Sequence, residues 1–175
     1  RGRKLNTPTG DHIRPTSDKV RQALFNMLDS RGFIQGSIVL DGFCGTGALG
    51  LEALSRGAQR GVFIDKDKRS LKICAQNIEM LKVSEKSQMY SRDTTILTEN
   101  TTGHVADLVF LDPPYNKGMI PLALNALTDG CWLAEDAVIV LESERDFSCD
   151  LSGYSLIQEK IYKDTMVIIL QKDAL

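Results

Sequence analysis

The chain has 175 residues, a formal net charge of −2 and 42% hydrophobic residues. This length predicts one globular domain, and the weakly acidic balance excludes a uniformly basic nucleic-acid-binding protein. No run approaches the ~18 consecutive apolar residues of a membrane span, and the opening residues carry no signal-peptide pattern. We therefore expect no membrane partner and a cytoplasmic location.

The four cysteines give no sign of a metal centre or of a disulfide framework. Cys44, Cys74, Cys131 and Cys149 form no Cys-x-x-Cys pair, and no histidine lies near one at a metal-ligand spacing. This usage is typical of reduced thiols in a cytosolic protein. We expect no metal site.

Charge is unevenly distributed along the chain. Residues 1–31 hold seven Lys/Arg and three acidic residues, a net +4, which leaves −6 for the remainder. A basic arm of this kind either contacts phosphates or is an ordinary solvated segment, and charge alone does not separate the two.

Segments with helical periodicity alternate with short β-rich runs along the chain. The first is a helix over 18–29, which Ser17 would cap. The pattern then predicts strand 37–41, a glycine-rich loop and a helix to about Arg56 that stops at Gly57, strand 61–64, helix 67–82, strands 87–91 and 108–111, helix 119–128, strand 137–141, and β-rich runs 155–162 and 165–171. Lys163-Asp164 are too short a connection to cross over a sheet, so the last two runs pair as an antiparallel hairpin.

This alternation predicts the α/β class: a Rossmann-like, doubly wound, mostly parallel sheet with a C-terminal antiparallel hairpin at one edge. We expect residues 1–30, a basic arm and the first helix, to pack on a single globular unit of residues 31–175. Ligands of such sheets bind at the carboxyl ends of the strands, where the polar motifs of this sequence fall.

The first of these motifs is a glycine-rich loop. Residues 45–50 match Gly-x-Gly-x-x-Gly, and Asp65 lies 20 residues after Gly45. NAD and S-adenosylmethionine both carry an adenosine ribose that Asp65 would bind. Asp41 would repel a pyrophosphate but suits a sulfonium and an ammonium group, which favours the methyl donor, unless it only caps the loop through backbone N–H groups. Asp93 would accept from the adenine amino group, unless it is only a turn residue.

A second motif, Asp112-Pro113-Pro114-Tyr115, directly follows the fourth strand. Two proline rings stiffen this turn, so the Asp112 carboxylate and the Pro113 carbonyl are fixed acceptors beside an aromatic ring. They can hold both N–H bonds of a flat –NH2 substrate and stabilise the positive charge that develops on its nitrogen, while Tyr115 stacks on the ring. The alternative is an ordinary surface turn, but its place on the same sheet edge as the glycine loop favours catalysis.

Several stretches together resemble the bacterial family of 16S ribosomal RNA guanine-N2 methyltransferases. They are residues 1–5, 14–21 (Arg-Pro-Thr-Ser-Asp-Lys-Val-Arg), 40–58 around the glycine loop, 112–115, and 130–133 leading to Glu142-Ser143-Glu144. The resemblance covers nearly the whole chain. It implies a seven-stranded class I methyltransferase fold, and methyl transfer from S-adenosylmethionine to a guanine N2 amino group, with S-adenosylhomocysteine as product. The implied partner is ribosomal RNA or a small-subunit particle, and we expect a monomer.

The resemblance also implies roles for individual residues. The cofactor site would comprise Asp41, Phe43, Gly45, Thr46, Gly47, Asp65, Lys66 and Asp93, with Arg14 and Thr16 near the methionine end. Asp112, Pro113, Pro114 and Tyr115 would hold the target base, and Arg1, Arg3, Lys4, Arg14 and Arg21 would contact RNA phosphates. Phe43 replaces the first glycine of the commoner methyltransferase loop, as it does in the resembled family. Lys66 is a less usual neighbour of the ribose-binding acid, and its role is left open.

Three other functions share part of this pattern. A nicotinamide-dependent oxidoreductase would use the same loop and Asp65, although the chain offers no evident hydride-transfer residue. A methyltransferase for adenine in DNA or for a protein glutamine would share the tetrapeptide. A non-catalytic RNA-binding module would keep the fold alone, which the intact residues 112–115 argue against.

Overall fold

The computed structural model describes residues 4–7, 18–114 and 118–174. Helices and strands alternate through these residues as the sequence predicts. In chain order they are α1 (Asp18–Ser30), β1 (Ile38–Gly42), α2 (Ala48–Ser55), β2 (Arg60–Asp65), α3 (Lys68–Leu81), β3 (Ser87–Ser91), β4 (Ala106–Leu111), α4 (Met119–Asp129), β5 (Leu133–Glu144), β6 (Tyr154–Tyr162) and β7 (Thr165–Lys172). None of the helices in this described part is long and apolar enough to cross a membrane.

The strands within the described residues form one sheet in the order β3-β2-β1-β4-β5-β7-β6. The first five run parallel, and β7 lies antiparallel between β5 and β6. The tight turn at residues 163–164 explains this antiparallel edge, because a parallel neighbour would need a long crossover. The predicted doubly wound sheet with a C-terminal hairpin is confirmed.

Apolar side chains on both faces of the sheet form two cores. Along β4, Leu108 and Phe110 contribute to the core under α1, α2 and α3, while Val109 and Leu111 contribute to the core under α4. This alternation explains why β4 reads as a continuous apolar run, since both of its faces are covered. Helix α1 belongs to the first core, where the ring centroids of Phe25 and Phe110 lie 5.5 Å apart.

One element ends where the sequence predicts, and another is longer than predicted. Helix α2 stops as expected, with Gly57 at a φ of 110° directly after the last helical turn. Strand β5 is longer than the predicted 137–141: it begins at Leu133, which pairs with Ala106, and ends at Glu144, which pairs with Thr165. Antiparallel pairing with β7 extends the strand through a polar stretch that carries no apolar strand signal of its own. Ser17, the predicted cap of the first helix, lies outside the described residues.

Candidate active site

The predicted cofactor loop and the predicted catalytic loop leave the sheet side by side. Gly42, the last residue of β1, pairs with Ile64 on β2 and with Leu111 on β4, and Leu111 pairs in turn with Leu141 on β5. Neighbouring strands of a sheet lie about 4.8 Å apart. Residues 43–47 and 112–114 therefore begin on adjacent strands at the carboxyl edge, with Asp65 on one side and Glu142 on the other.

Backbone hydrogen bonds and one carboxylate hold the glycine loop in shape. Cys44 N–H donates to the Ile64 carbonyl at 3.0 Å, and Gly47 N–H donates to the Cys44 carbonyl at 2.7 Å. Asp65 accepts from Gly45 N–H at 2.8 Å through one oxygen and from Asp67 N–H at 2.8 Å through the other. A carboxylate has about four acceptor positions, so these two bonds orient Asp65 without exhausting its capacity for ribose hydroxyls.

Asp41 lies beneath this loop rather than on its surface. Its side chain is 3% exposed, and Oδ2 accepts from Gly50 N–H at 2.8 Å. Burial raises the pKa of the Asp41 carboxyl from 3.8 to about 7; the Gly50 hydrogen bond opposes the rise, and the charge of Asp65 adds to it. The structure therefore shows the bracing contact that was the alternative for this residue, and contact with a cofactor stays a prediction.

Asp93 and Lys66 form an ion pair across the ends of β3 and β2. Lys66 Nζ lies 3.0 Å from Asp93 Oδ2 with the lysine side chain 62% exposed. Asp93 also accepts from the Thr95 hydroxyl at 2.7 Å and from Thr95 N–H at 3.0 Å, capping a short 3₁₀ turn. The Thr95 hydroxyl is the largest cause that lowers the pKa of Asp93; partial burial opposes it, and Lys66 contributes further lowering. The turn role of Asp93 is thus shown, and its bond to adenine stays a prediction.

A buried asparagine that sequence reasoning missed connects the glycine loop to the N-terminal segment. Asn77 on α3 is fully buried, and its Nδ2 donates to the Thr46 carbonyl at 3.0 Å and to the Asn6 carbonyl at 3.2 Å. Its Oδ1 accepts from Asn6 N–H at 2.8 Å. The sequence feature that could have revealed Asn77 is its position three residues after Cys74, which puts a polar side chain on the apolar face of the helix.

The described part of the predicted catalytic loop, residues 112–114, borders a cavity of about 240 Å³ through its two prolines. Asp112 is half-buried, Pro113 is buried and Pro114 is exposed. Pro113 and Pro114 form one side of the cavity, and residues from the end of β5 and the following turn form another. Within the ranges that the structure describes, no group of three or more His, Cys, Asp or Glu residues is placed to hold a metal ion.

The predicted RNA contacts are only partly described by the structure. Lys4 is exposed, and Arg21 forms an ion pair with Asp18 at 2.8 Å on the surface of α1. Five predicted site residues lie outside the described residues: Arg1, Arg3, Arg14, Thr16 and Tyr115. Their roles stay predictions.

A mostly parallel seven-stranded sheet of this order, with an antiparallel C-terminal pair, is the class I methyltransferase fold. Magnesium protoporphyrin IX methyltransferase from Synechocystis, solved with bound SAM, shares this fold at a TM-score of 0.65 and 15% identity, covering 94% of this chain and 87% of that one.

The family model described as "Conserved hypothetical protein 95" matches residues 1–171. Ribosomal RNA small subunit methyltransferase D of Escherichia coli is 36% identical over 176 residues, which cover 99% of this chain and 87% of that protein. The solved structure of "Putative methyltransferase yhhF from Escherichia coli" is 35% identical with a TM-score of 0.86, covering 100% of this chain and 94% of that one. The chain therefore belongs to this family, that of ribosomal RNA small subunit methyltransferase D.

Proposed function

We propose that the protein transfers a methyl group from S-adenosylmethionine to the exocyclic N2 amino group of a guanine in small-subunit ribosomal RNA. The pairing of Gly42 with Leu111 carries this proposal, because it starts the donor loop and the acceptor loop on adjacent strands at one edge. Methyl transfer requires the donor and the acceptor nitrogen in line, and such positioning supplies much of the rate. Relatives named as ribosomal RNA small subunit methyltransferases support the choice of RNA.

The loop chemistry fits the methyl donor better than a dinucleotide. A methyl group added at Gly45 would meet no described atom within 4 Å, so the loop has open space above it for a ligand. Asp65 is oriented at its rim and is suited to ribose hydroxyls. S-adenosylmethionine brings an electrophilic methyl on a sulfonium and no phosphate, so the acids around the loop do not repel it. We expect S-adenosylmethionine, and not NAD, to raise the melting temperature.

Asp112 and Pro113 would act on the acceptor nitrogen. An exocyclic amino group shares its lone pair with the ring and is a poor nucleophile. The Asp112 carboxylate and the Pro113 carbonyl would each accept a hydrogen bond from one N–H of this amino group. These two bonds direct the nitrogen lone pair away from the two oxygens. As the new N–C bond forms and the S–CH3 bond breaks, positive charge develops on the nitrogen, and the nearby carboxylate stabilises it. The methylated nitrogen then loses its surplus proton to solvent, which leaves neutral N2-methylguanine and S-adenosylhomocysteine. Tyr115 would stack on the base after it has left its helix or loop.

Asp112→Ala tests this proposal. The substrate is small-subunit RNA from a strain that lacks the enzyme, the donor carries a labelled methyl group, and the product is analysed as nucleosides. We expect wild-type protein to form N2-methylguanosine and Asp112→Ala to lose at least 100-fold in rate while its donor-induced rise in melting temperature is kept.

Asp136→Ala is the matched control, since Asp136 is exposed on β5, outside both loops. Its rate should equal that of wild type. Full activity in Asp112→Ala would contradict the mechanism, and a different methylated nucleoside would contradict the proposed substrate. An enzyme with this substrate would act on its RNA in the bacterial cytoplasm.

A further inference from the structure

The cavity beside the catalytic loop has the size of a pocket for one planar ring system. Its volume of about 240 Å³ is below the ~300–1,000 Å³ of sites that enclose a whole drug-sized ligand. Pro113 and Pro114 line one side, the start of α4 lines another, and Glu142 and Phe147 line a third. Two residues of the loop proposed to hold the acceptor amino group therefore border the cavity, directly after Asp112 in the chain.

Among the acidic residues that line the cavity, Glu142 is the one that the strand register brings closest to Asp112. Leu111 pairs with Leu141, so the next residues along the two parallel strands, Asp112 and Glu142, occupy neighbouring positions. Glu142 is only 7% exposed, and its backbone is held on the other side by pairing with Val167 of β7. A carboxylate on a central strand, rather than on a loop, is a rigidly placed acceptor.

Purines differ in what their Watson–Crick edges offer to two neighbouring acceptors. Guanine presents N1–H beside its N2 amino group, so it offers donors in a row, whereas adenine has an acceptor at N1 beside its amino group. A carboxylate accepts and cannot donate when ionised. With Asp112 assigned to the N2 amino group, the neighbouring acceptor position faces N1–H in guanine and would face a lone pair in adenine.

We infer that Glu142 determines base specificity by accepting the N1–H of the target guanine in this cavity. The inference rests on the proposed function, since it assigns the second acceptor to the same base. An ionic hydrogen bond to N1–H strengthens the binding of guanine, and repulsion from the lone pair at N1 rejects adenine. Glu142 is therefore a specificity residue rather than part of the transfer step itself.

Replacing guanine by 2-aminopurine tests this contact. 2-Aminopurine keeps the 2-amino group but has a lone pair at N1. It also lacks the O6 carbonyl, and comparing the guanine preference of wild type with that of Glu142→Gln cancels this second difference. The substrates are two RNA oligonucleotides that contain the site mapped with wild-type protein, with guanine or 2-aminopurine at the target. Wild type should prefer guanine by at least tenfold in kcat/KM. In Glu142→Gln the side-chain amide can donate to N1 of 2-aminopurine, so the guanine preference should fall by at least tenfold.

Glu144→Gln is the matched control, because Glu144 lines the same cavity two residues further along β5. Its guanine preference should stay within about threefold of wild type. An unchanged ratio in Glu142→Gln, with both rates lowered together, overturns the inference, and so does a ratio that moves in Glu144→Gln instead. If Glu142→Gln does not fold, the wild-type ratio decides, since equal use of the two bases also overturns it. Absence of N2-methylguanosine from wild-type reactions is a separate result that overturns the proposed function.

Discussion

Gly45 and Gly47 share a left-handed backbone conformation, yet a methyl group would meet different surroundings at each. Their φ angles are 55° and 82°. A Cβ at Gly47 would lie 2.7 Å from the Cys74 sulfur inside the core, whereas a Cβ at Gly45 would meet no described atom within 4 Å. The first glycine therefore borders open space, where we propose that the cofactor binds, and the second allows α2 to pack against α3.

Alanine at each position separates these two functions. Gly47→Ala should lose about 2–4 kcal/mol of unfolding free energy, because strain from positive φ adds to overpacking. Gly45→Ala should lose only about 1 kcal/mol from the backbone, while its melting temperature no longer responds to S-adenosylmethionine. Urea denaturation and thermal shift measure the two effects. Equal destabilisation, with donor binding kept in Gly45→Ala, would contradict this assignment.

Asp41 should make the protein less stable as the pH rises through the weakly acidic range. Its folded pKa of about 7 exceeds the ordinary 3.8, so the folded state binds the proton more tightly. The resulting stabilisation is complete below about pH 3.8 and is lost as the pH rises to about 7, a difference of roughly 4 kcal/mol. Asp41→Asn keeps an oxygen for Gly50 N–H but does not titrate. Between pH 4.5 and 7.5, urea denaturation should show a steeper fall for wild type than for the variant, and parallel curves would be the contrary result.

At the scale of elements, α3 links the glycine loop to the N-terminal segment through Asn77. This side chain bonds Thr46 in the loop and Asn6 in residues 4–7. Asn77→Ala leaves buried carbonyl and N–H groups without their partner, so we expect a loss of about 1–3 kcal/mol in unfolding free energy and weaker donor binding. Gln76→Ala is the control, because Gln76 is exposed on the same helix. Urea denaturation and titration with S-adenosylmethionine measure the two effects in both variants. Equal stability and equal donor affinity in Asn77→Ala and Gln76→Ala would contradict the proposed link.

Elements with strong periodicity were predictable, and elements held by distant partners were not. The apolar run of β4 and the amphipathic pattern of α3 can each be recognised from the local sequence alone. The polar end of β5, by contrast, is a strand because Glu142 and Glu144 pair with β7, more than 20 residues away. The same holds in the site. The motifs predict that Asp65 and Asp112 share a sheet edge, but the Asn6–Asn77–Thr46 contacts depend on the packing of α3 against the glycine loop and residues 4–7, which no local pattern encodes.

At the scale of the whole molecule, the strand order brings distant sequence motifs together. Strand β1 lies between β2 and β4. The chain runs outward from β1 to β2 and β3 and then crosses back to β4 on the other side of β1, so a crevice forms between β1 and β4, where the order reverses. The glycine loop and residues 112–114 begin on adjacent strands at this point, although Asp112 lies 65 positions after Gly47 in the sequence. One edge of the sheet therefore carries the residues that we propose bind the cofactor and the base, and turns and surface charges lie at the amino-terminal edge.

Because the two edges differ in this way, an experiment can distinguish RNA contacts made by the basic arm from a general effect of the net charge. Asn6 bonds Asn77, whose amide also holds Thr46, so the described part of the arm is anchored beside the glycine loop. Each lost phosphate contact should reduce the slope of log affinity against log salt by about 0.7–0.9. Neutralising Arg1, Arg3 and Lys4 together to Gln should therefore flatten the slope for small-subunit RNA by roughly 2–3.

The control removes the same three charges from the opposite edge. Arg31 belongs to the basic stretch of residues 1–31 but follows α1 and precedes β1. Lys82 follows α3, and Lys86 precedes β3. All three therefore lie at the amino-terminal ends of the strands, and all are exposed. Their replacement by Gln changes the net charge equally but removes no contact near the loops. Because screening weakens charges beyond about 10 Å at 0.1 M salt, the control slope should stay within about 0.5 of wild type. Equal flattening in both variants would assign the effect to total charge and leave the arm without a specific role.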